Sequence, residues 1–554
     1  MLENIFRVEM RIVSVATCSL NQWAMDFDGN LERVKESIIK AKEQGCKIRS
    51  GPELELSGYS CNDHFLEADT YFHCWESLLN LLSFCTDIIC DIGMPIQFEG
   101  CRFNCRVILY QQKILCIRPK MVLADSGNYR ESRWFTAWNA NRYGNYILPK
   151  FVAKGCGQIS VPIGNYLIQT LDTILGCEVC EEMFSPLNPS SAYALNGVEI
   201  FMNGSASHHE LGKLSRRIEL VNSGIGKFGG VYMYSNQIGC DGERLYFDGC
   251  ELISINGNIV AQGKQFSLCQ VNVSVAVVDL DKVTSFRSRT QSFGTQSQKV
   301  SRLERIFVET NLSSDEILSE SETLKANVLT TEDEIRLGPA CWLWDILVKS
   351  SSCGFFLPLS GGIDSCSVAL IVYSMCEIAF NSISDPVVEE KLISLCNKKP
   401  ESAQEICNLV LTTCYMRTDQ SSSETRDRAK LLASKINSNH LSFCFEFIFQ
   451  SFISLTGKVL NFIPSFKGSR QQNVALQNLQ ARLRMVCAYF FAQLIPKNSF
   501  LLVLSSSNVD ECLSGYFTKY DCSSADLNPI GSISKSDIRL FVNSYLPKFP
   551  FLKE

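Results

Sequence analysis

The sequence predicts an α/β protein of at least two domains. Three observations carry that reading. Apolar runs with strand alternation interleave with segments of helical spacing along most of the chain, the pattern of layered α/β packing. A short apolar run, Phe355–Leu359, reads as a buried strand that enters a Ser-Gly-Gly turn and then a helix. The 554 residues also exceed what one hydrophobic core ordinarily sustains.

In chain order, Arg11–Ala16 (RIVSVA) alternates as a strand. Leu31, Val34, Ile38 and Ala41 then share one helical face, with Asn30 as the expected cap. GPELELSGYS, Gly51 to Ser60, comes next, followed by a helical stretch around Ser77–Phe84. Asp87–Ile92 reads as a strand. Arg106–Tyr110 with Ile114–Ile117 reads as a hairpin ending in Arg118-Pro119-Lys120. Further strands are expected at Asn165–Leu171, Val198–Met202, Val231–Ser235, Glu251–Ile255 and Val275–Asp279. Ser285 to Ser301 (SFRSRTQSFGTQSQKVS) is polar and without period, and the bias continues to Ser321. These features divide the chain into a first domain at 11–284, a linker or extended arm at 285–331, and a second domain at 332–554. Trp342, Ile346 and Leu347 stand at helical spacing early in the second domain.

Composition narrows the function classes. Hydrophobic and charged fractions of 46% and 20% are those of an ordinary globular chain. A net charge of −6 and a pI near 5.7 leave no basic footprint for nucleic acid or an anionic membrane. The opening MLENIFRVEMR lacks the apolar core of a signal peptide. Nor does any uninterrupted apolar stretch approach the roughly 18 residues of a membrane span. The 26 cysteines are spread along the chain and read as reduced thiols, mostly small core hydrophobes. Cys177 and Cys180 form one C-x-x-C pair, but no second pair stands at finger spacing, which argues against zinc. We expect a cytoplasmic homo-oligomer without membrane or nucleic-acid partners.

The most specific local signal is SGGIDS, Ser360 to Ser365. Two glycines let backbone approach a ligand closely, and the first N–H groups of the following helix point at negative charge. Asp364 lies inside this cradle, where its carboxylate repels phosphate unless a divalent cation lies between; Mg²⁺ is the expected ion. The string lacks the G-x-x-x-x-G-K-[ST] of a Walker loop. It resembles the pyrophosphate loop of ATP pyrophosphatases, which split ATP between its α and β phosphates.

Three residues of the first domain are unremarkable singly: Glu53 after Pro52, Lys120 after the hairpin, and Cys180 in LGCEVCEE. Surface Glu and Lys are ordinarily solvated, and a Cys after an apolar run is ordinarily core. Together, PELELSGY, RPK and GCEVCEE resemble the nitrilase (carbon–nitrogen hydrolase) superfamily, whose Glu, Lys and Cys occur in this order. The resemblance implies an α-β-β-α sandwich. It also implies amide hydrolysis with Cys180 as nucleophile, Glu53 as base and Lys120 favouring thiolate and oxyanion. Among glutamine-using members of that superfamily, Tyr129 in GNYRESRWF matches a substrate contact, as do Ser207 and Lys213 in NGSASHHELGK. Bacterial relatives carry Arg where this chain has Lys213.

Four later stretches complete a second set: CYMRTDQSSSE, NVALQNLQARLRM, LLVLSSSNVDE and GYFTKYDCSSADLNPIGSISK. With SGGIDS, LGPACWLWD and YDCSSAD they resemble NAD synthetases. Joined to the first domain, they resemble the eukaryotic type of glutamine-dependent NAD synthetase, over about Arg11 to Phe541. That resemblance implies a Rossmann-like ATP-pyrophosphatase domain with a parallel sheet. It implies ATP contacts from Pro358, Leu359, Ser360, Gly361, Gly362, Ile363, Asp364, Ser365, Ser506 and Lys535, with Ser360 also in the catalytic set. Ser506 replaces a bacterial Thr. Mg²⁺ ligands are implied at Asp364 and Glu511, and a deamido-NAD site at Arg482, Lys519 and Asp526. The implied reaction activates the nicotinate carboxylate of deamido-NAD⁺ with ATP as an acyl-adenylate. Ammonia from glutamine then displaces AMP, and an internal tunnel would carry that ammonia unprotonated.

Family members continue for well over a hundred residues beyond the point matching Glu554, and carry further ATP contacts there. We therefore expect a fragment whose glutaminase chemistry survives and whose synthetase turnover is impaired. Arg539–Tyr545 reads as an amphipathic helix with nothing left to pack on. Two other readings remain open at this point. One is a glutamine-fed ATP pyrophosphatase acting on a different carboxylate or carbonyl. The other is a glutaminase-only or non-catalytic partner of a full-length synthetase.

Overall fold

Alternation along the strands sorts the apolar side chains of the first unit, Met1–Val328, into separate layers. In strand Ile12–Leu20, Val13 and Val15 join one core while Cys18 and Leu20 join another, as a period of two requires. The computed structural model describes residues 10–242, 245–314, 318–419, 422–497, 499–515 and 518–553. Strands Ile12–Leu20, Ile48–Ser50 and Ile89–Phe98 run parallel, and Cys101–Tyr110 and Lys113–Pro119 continue the sheet antiparallel. Strands Ile174–Val179, Ile200–Ser205 and Val231–Gly239 form a second parallel set. The two sets meet where Ser19 and Leu20 pair with Asn236 and Gln237, so one curled mixed sheet folds over itself.

The core between the two halves holds Val13, Ile48, Ile89, Cys177, Ile200 and Met233. Helices Phe27–Glu43 and Ala68–Leu81 cover one outer face through Val34, Ile38 and Leu78. Helix Lys213–Phe228 covers the other through Leu214, Ile218 and Val221. This is the α-β-β-α sandwich. The first helix is capped by Asp26, whose carboxylate accepts the Gly29 N–H, and not by Asn30, which is buried within the helix and bonds Trp23.

The segment 285–331 carries secondary structure of its own. It contains helix Gln291–Ser297, and Arg305–Phe307 adds a parallel strand beside Leu167–Gln169. The Leu324 N–H bonds the Ile259 carbonyl farther on.

The second unit, Leu329–Glu554, is built on four parallel strands. Their spatial order is Asn439–Cys444, Leu411–Arg417, Gly354–Pro358, Leu501–Val503. Chain order therefore reverses between Gly354–Pro358 and Leu501–Val503. The loops leaving those two strands diverge, which opens a crevice at the carboxyl end of the sheet. Helix Ile363–Asn381 begins within SGGIDS, after Gly362. It is long and apolar enough to cross a membrane, yet Val368, Leu370, Val372 and Met375 are buried in the unit. The last long helix, Lys535–Ser544, is not partnerless: Ile538, Phe541 and Val542 are buried, and it packs on Thr331–Lys349 and Ile363–Asn381. Gln420 and Ser421 of the serine-rich turn, and Tyr516, Phe517 and Glu554, lie outside the described residues.

Candidate active site

Glu53, Lys120 and Cys180 come from three separate strand ends and meet in the first unit. Glu53 follows strand Ile48–Ser50, Lys120 follows Lys113–Pro119, and Cys180 follows Ile174–Val179. Lys120 Nζ donates to Glu53 Oε1 at 2.6 Å, and the Asn104 side-chain amide donates to the same oxygen at 2.6 Å. Glu53 Oε2 accepts the Ala206 N–H at 3.1 Å. Cys180 sits at φ 39°, ψ −96°, between its strand and the short helix Glu181–Phe184. That left-handed elbow is strained for a residue with a Cβ. Strands Ile174–Val179 and Ile200–Ser205 hold it, with the Cys180 N–H on the Gly204 carbonyl at 3.2 Å.

All three groups are buried, and their electrostatics follow from that. Burial raises the Cys180 thiol well above its ordinary range; Glu53 adds to the rise, and Lys120 opposes it. A thiol in that state keeps its proton at neutral pH, so attack requires an adjacent base, and Glu53 is placed to be one. Burial alone would push the Lys120 ammonium down. Glu131, Glu53 and Cys180 outweigh it, and the net shift is upward, so Lys120 stays charged.

Glu131, within GNYRESRWF, is a further member of this cluster that the sequence does not single out. Its Oε1 accepts from Lys120 Nζ at 2.8 Å and from the Tyr59 hydroxyl at 2.8 Å, and its Oε2 accepts the Ala124 N–H at 2.8 Å. Burial lifts this carboxyl to about 7, against the pull of Lys120. The available signal was a Glu two residues from Tyr129 in a segment already tied to the substrate.

The three proposed glutamine contacts converge on one wall. The Tyr129 hydroxyl donates to the Ala206 carbonyl at 2.9 Å and accepts the His208 N–H at 3.0 Å. Lys213 Nζ lies 5.8 Å from the centre of the Tyr129 ring. Ser207 is buried, its N–H bonds Asn236 Oδ1 at 2.8 Å, and its Oγ has no hydrogen-bond partner among the described residues. A buried hydroxyl without a partner is a donor and acceptor left over for a ligand.

In the second unit, Gly361 takes φ 80°, and a Cβ there would lie 2.1 Å from the Thr425 carbonyl oxygen. Only glycine fits that turn. Ser365 Oγ accepts the Ser360 N–H at 3.2 Å and donates to the Gly362 carbonyl at 3.1 Å, closing the loop on the helix start. Asp364 pairs with Lys535 Nζ and accepts from the Asn508 amide at 3.0 Å. Asn508 caps helix Val509–Ser514 by accepting the Glu511 N–H at 3.0 Å, which ties the Glu511 backbone to Asp364. Ser506 is half-buried in the same loop. Pro358, Leu359 and Ser360 line a cleft of about 440 Å³ with Tyr415, Ser422, Thr425 and Arg484. Arg484, at first sight a solvated charge, is half-buried, and desolvation lowers its guanidinium.

Arg482, Lys519 and Asp526 are not drawn into that cleft. Arg482 donates to the Lys519 carbonyl at 2.9 Å, and both side chains are exposed. Asp526 accepts from Tyr489 at 3.1 Å and from the Val503 N–H at 2.8 Å, bonds that hold the edge strand Leu501–Val503.

Comparison with known proteins agrees with this division. Residues 14–288 match the carbon–nitrogen hydrolase family, and residues 340–548 match NAD synthase. The molecule is thus an amide-hydrolysing unit joined to an NAD synthase unit. The glutamine-dependent NAD(+) synthetase of Bos taurus is 48% identical over 558 residues, covering 97% of this chain and 79% of the relative. That of Arabidopsis thaliana is 48% identical over 551 residues, covering 96% and 76%. The crystal structure of a glutamine-dependent NAD(+) synthetase from Cytophaga hutchinsonii shares the fold, with a TM-score of 0.81 at 24% identity over 98% of this chain and 82% of that one. The chain belongs to the glutamine-dependent NAD(+) synthetase family, enzymes of the ligase class.

Proposed function

We propose that the first unit releases ammonia from glutamine at Cys180 and that the second uses it, with ATP, to amidate deamido-NAD⁺. The observation that carries the first half is the buried contact of Lys120 with Glu53 beside a strained Cys180. Glu53 takes the thiol proton as sulfur attacks the carboxamide carbon, and Lys120 faces the oxyanion. Glu53 returns that proton to the leaving nitrogen, and ammonia departs. Water then cleaves the thioester to give glutamate. Tyr129, Ser207 and Lys213 orient the substrate, and the free Ser207 hydroxyl is the polar contact awaiting it.

In the second unit, the cleft beside Gly361 and Gly362 suits a triphosphate approaching along the backbone. Pro358–Ser365, Ser506 and Lys535 are the ATP contacts we assign. The nicotinate carboxylate of deamido-NAD⁺ attacks the α-phosphorus and pyrophosphate leaves. Ammonia then replaces AMP at the acyl carbon, which gives the nicotinamide of NAD⁺. Arg482, Lys519 and Asp526 are assigned to the dinucleotide by resemblance.

The donor set fits Mg²⁺. Asp364 and Glu511 offer hard carboxylate oxygens, and magnesium commonly binds through one or two carboxylates together with phosphates and water. Asp364 and Glu511 would hold it, and when bound it offsets charge on the pyrophosphate.

Cys180→Ala separates the halves. Mass spectrometry of products from deamido-NAD⁺, ATP and Mg²⁺ should show NAD⁺ formation lost with glutamine and retained with ammonia. Equal loss with both nitrogen sources would overturn the assignment.

A further inference from the structure

We propose that Glu182, two residues beyond the candidate nucleophile, is a positioning residue that sets the separation of Cys180 and Lys120. The inference rests on the reading of Cys180 as nucleophile. Glu182 is fully buried in the short helix Glu181–Phe184, and among the described residues its carboxylate bonds Arg118, Met121 and Val179, neither the thiol nor the ammonium. Its carboxylate bridges the two segments that carry them. Oε2 accepts the N–H of Val179, the residue before Cys180, at 2.8 Å. Oε1 accepts the Met121 N–H at 2.5 Å and the Arg118 guanidinium at 2.6 Å, so Lys120 is gripped from both sides.

The brace continues outward. Arg118 donates from its second arm to the Tyr193 hydroxyl at 3.1 Å. That hydroxyl reaches back to the Cys177 carbonyl at 3.3 Å and to Asn165. Strand Ile174–Val179 is therefore tied to strand Lys113–Pro119 both through Glu182 and through Tyr193.

Two features separate this from ordinary core polarity. Elbow strain at Cys180, φ 39°, gives the thiol no regular secondary structure of its own to fix its direction. And a well-packed apolar contact would join two segments at less desolvation cost than a buried Glu–Arg pair. What a carboxylate with three donors adds is a defined distance. A displacement of about 1 Å at a reacting centre costs on the order of 100-fold in rate.

The test is Glu182→Gln, which replaces one acceptor oxygen with a donor facing donors. In glutamine hydrolysis we expect kcat to fall by roughly 10- to 100-fold, the scale of a lost hydrogen bond to a charged group. KM should stay within about threefold, because the bonds of Tyr129 and Ser207 are untouched. NAD⁺ formation from ammonia should not change. The pH midpoint for iodoacetamide labelling of the Cys180 peptide should rise, since Lys120 is the cation that favours the thiolate. A purely structural residue would lower the amount of active protein without moving that midpoint. Arg118→Lys, which keeps the charge and loses the fork, should shift kcat and midpoint in the same direction by less. It decides the matter if Glu182→Gln does not fold. Unchanged kcat and midpoint in the folded variants would overturn the inference, as would a rise in KM alone. Activity with glutamine in Cys180→Ala would instead overturn the site reading beneath it.

Discussion

The two candidate sites are built by opposite means. In the first unit Glu53, Lys120, Glu131 and Cys180 are buried, and the Glu and Lys side chains are held by hydrogen bonds to one another and to neighbouring loops. In the second, Ser360 and Gly362 are exposed, and Asp364 and Lys535 are half-buried. The difference follows from the chemistry. Attack on a carboxamide needs a few charges fixed in a low-dielectric pocket, where preorganisation is strongest. A triphosphate is large, already charged and delivered by solvent, so an open cradle of N–H groups suits it. Substitutions in the first site should act through charge and burial; those in the second, through backbone shape.

The largest effect expected from shape alone is at Gly361. Gly361→Ala places a methyl 2.1 Å from the Thr425 carbonyl at φ 80°, so the loop must move by about an ångström. We expect ammonia-supported formation of NAD⁺ and AMP to fall on the order of 100-fold, with glutamine hydrolysis by the same protein unchanged. Wild-type AMP formation would show that backbone shape does not govern that site.

Glu131 sharpens the other side of the contrast. Glu131→Gln replaces the carboxyl that accepts from Lys120 by an amide, and glutamine hydrolysis should fall by roughly 10-fold or more. Stability supplies a separate reading. The native carboxyl titrates at about 7, above its ordinary 4.5, so between those values the native state binds more protons than the unfolded state. This group's contribution therefore declines as pH rises through that window, with a slope of at most about 1.4 kcal/mol per pH unit. Unfolding titrations from pH 4.5 to 7 should show that slope in the wild type and its absence in Glu131→Gln. Parallel curves would mean that Glu131 is ionised throughout.

How much could be read beforehand differed in the same way. The SGGIDS cradle is local: a strand, two glycines and a helix start are contiguous, so its shape follows from adjacent residues. Glu53, Lys120 and Cys180 are separated by dozens of positions, and nothing in their spacing brings them together. A family resemblance identified them, and the curled sheet supplies the reason. Glu131 escaped because its burial appears only when the loop after Lys120 closes over Tyr59. Asn30 reads as a cap because it precedes the apolar stripe, but Asp26 begins the helix one turn earlier. Local sequence shows no partner for helix Lys535–Ser544, because that partner, Thr331–Lys349, lies far away in sequence. Long-range packing is the term that local pattern omits.

Ser207 gives the smallest and most discriminating effect. Its buried Oγ has no partner among the described residues, so Ser207→Ala removes an unsatisfied group and should leave stability unchanged or slightly raised. A contact formed only with bound glutamine is a different matter. Losing one neutral hydrogen bond of about 0.5–1.5 kcal/mol should raise KM for glutamine roughly two- to tenfold. The ammonia-supported rate should not move. A destabilised variant with unchanged KM would mean that the hydroxyl serves the fold, and the wall formed with Tyr129 and Lys213 would then need another polar anchor for the substrate.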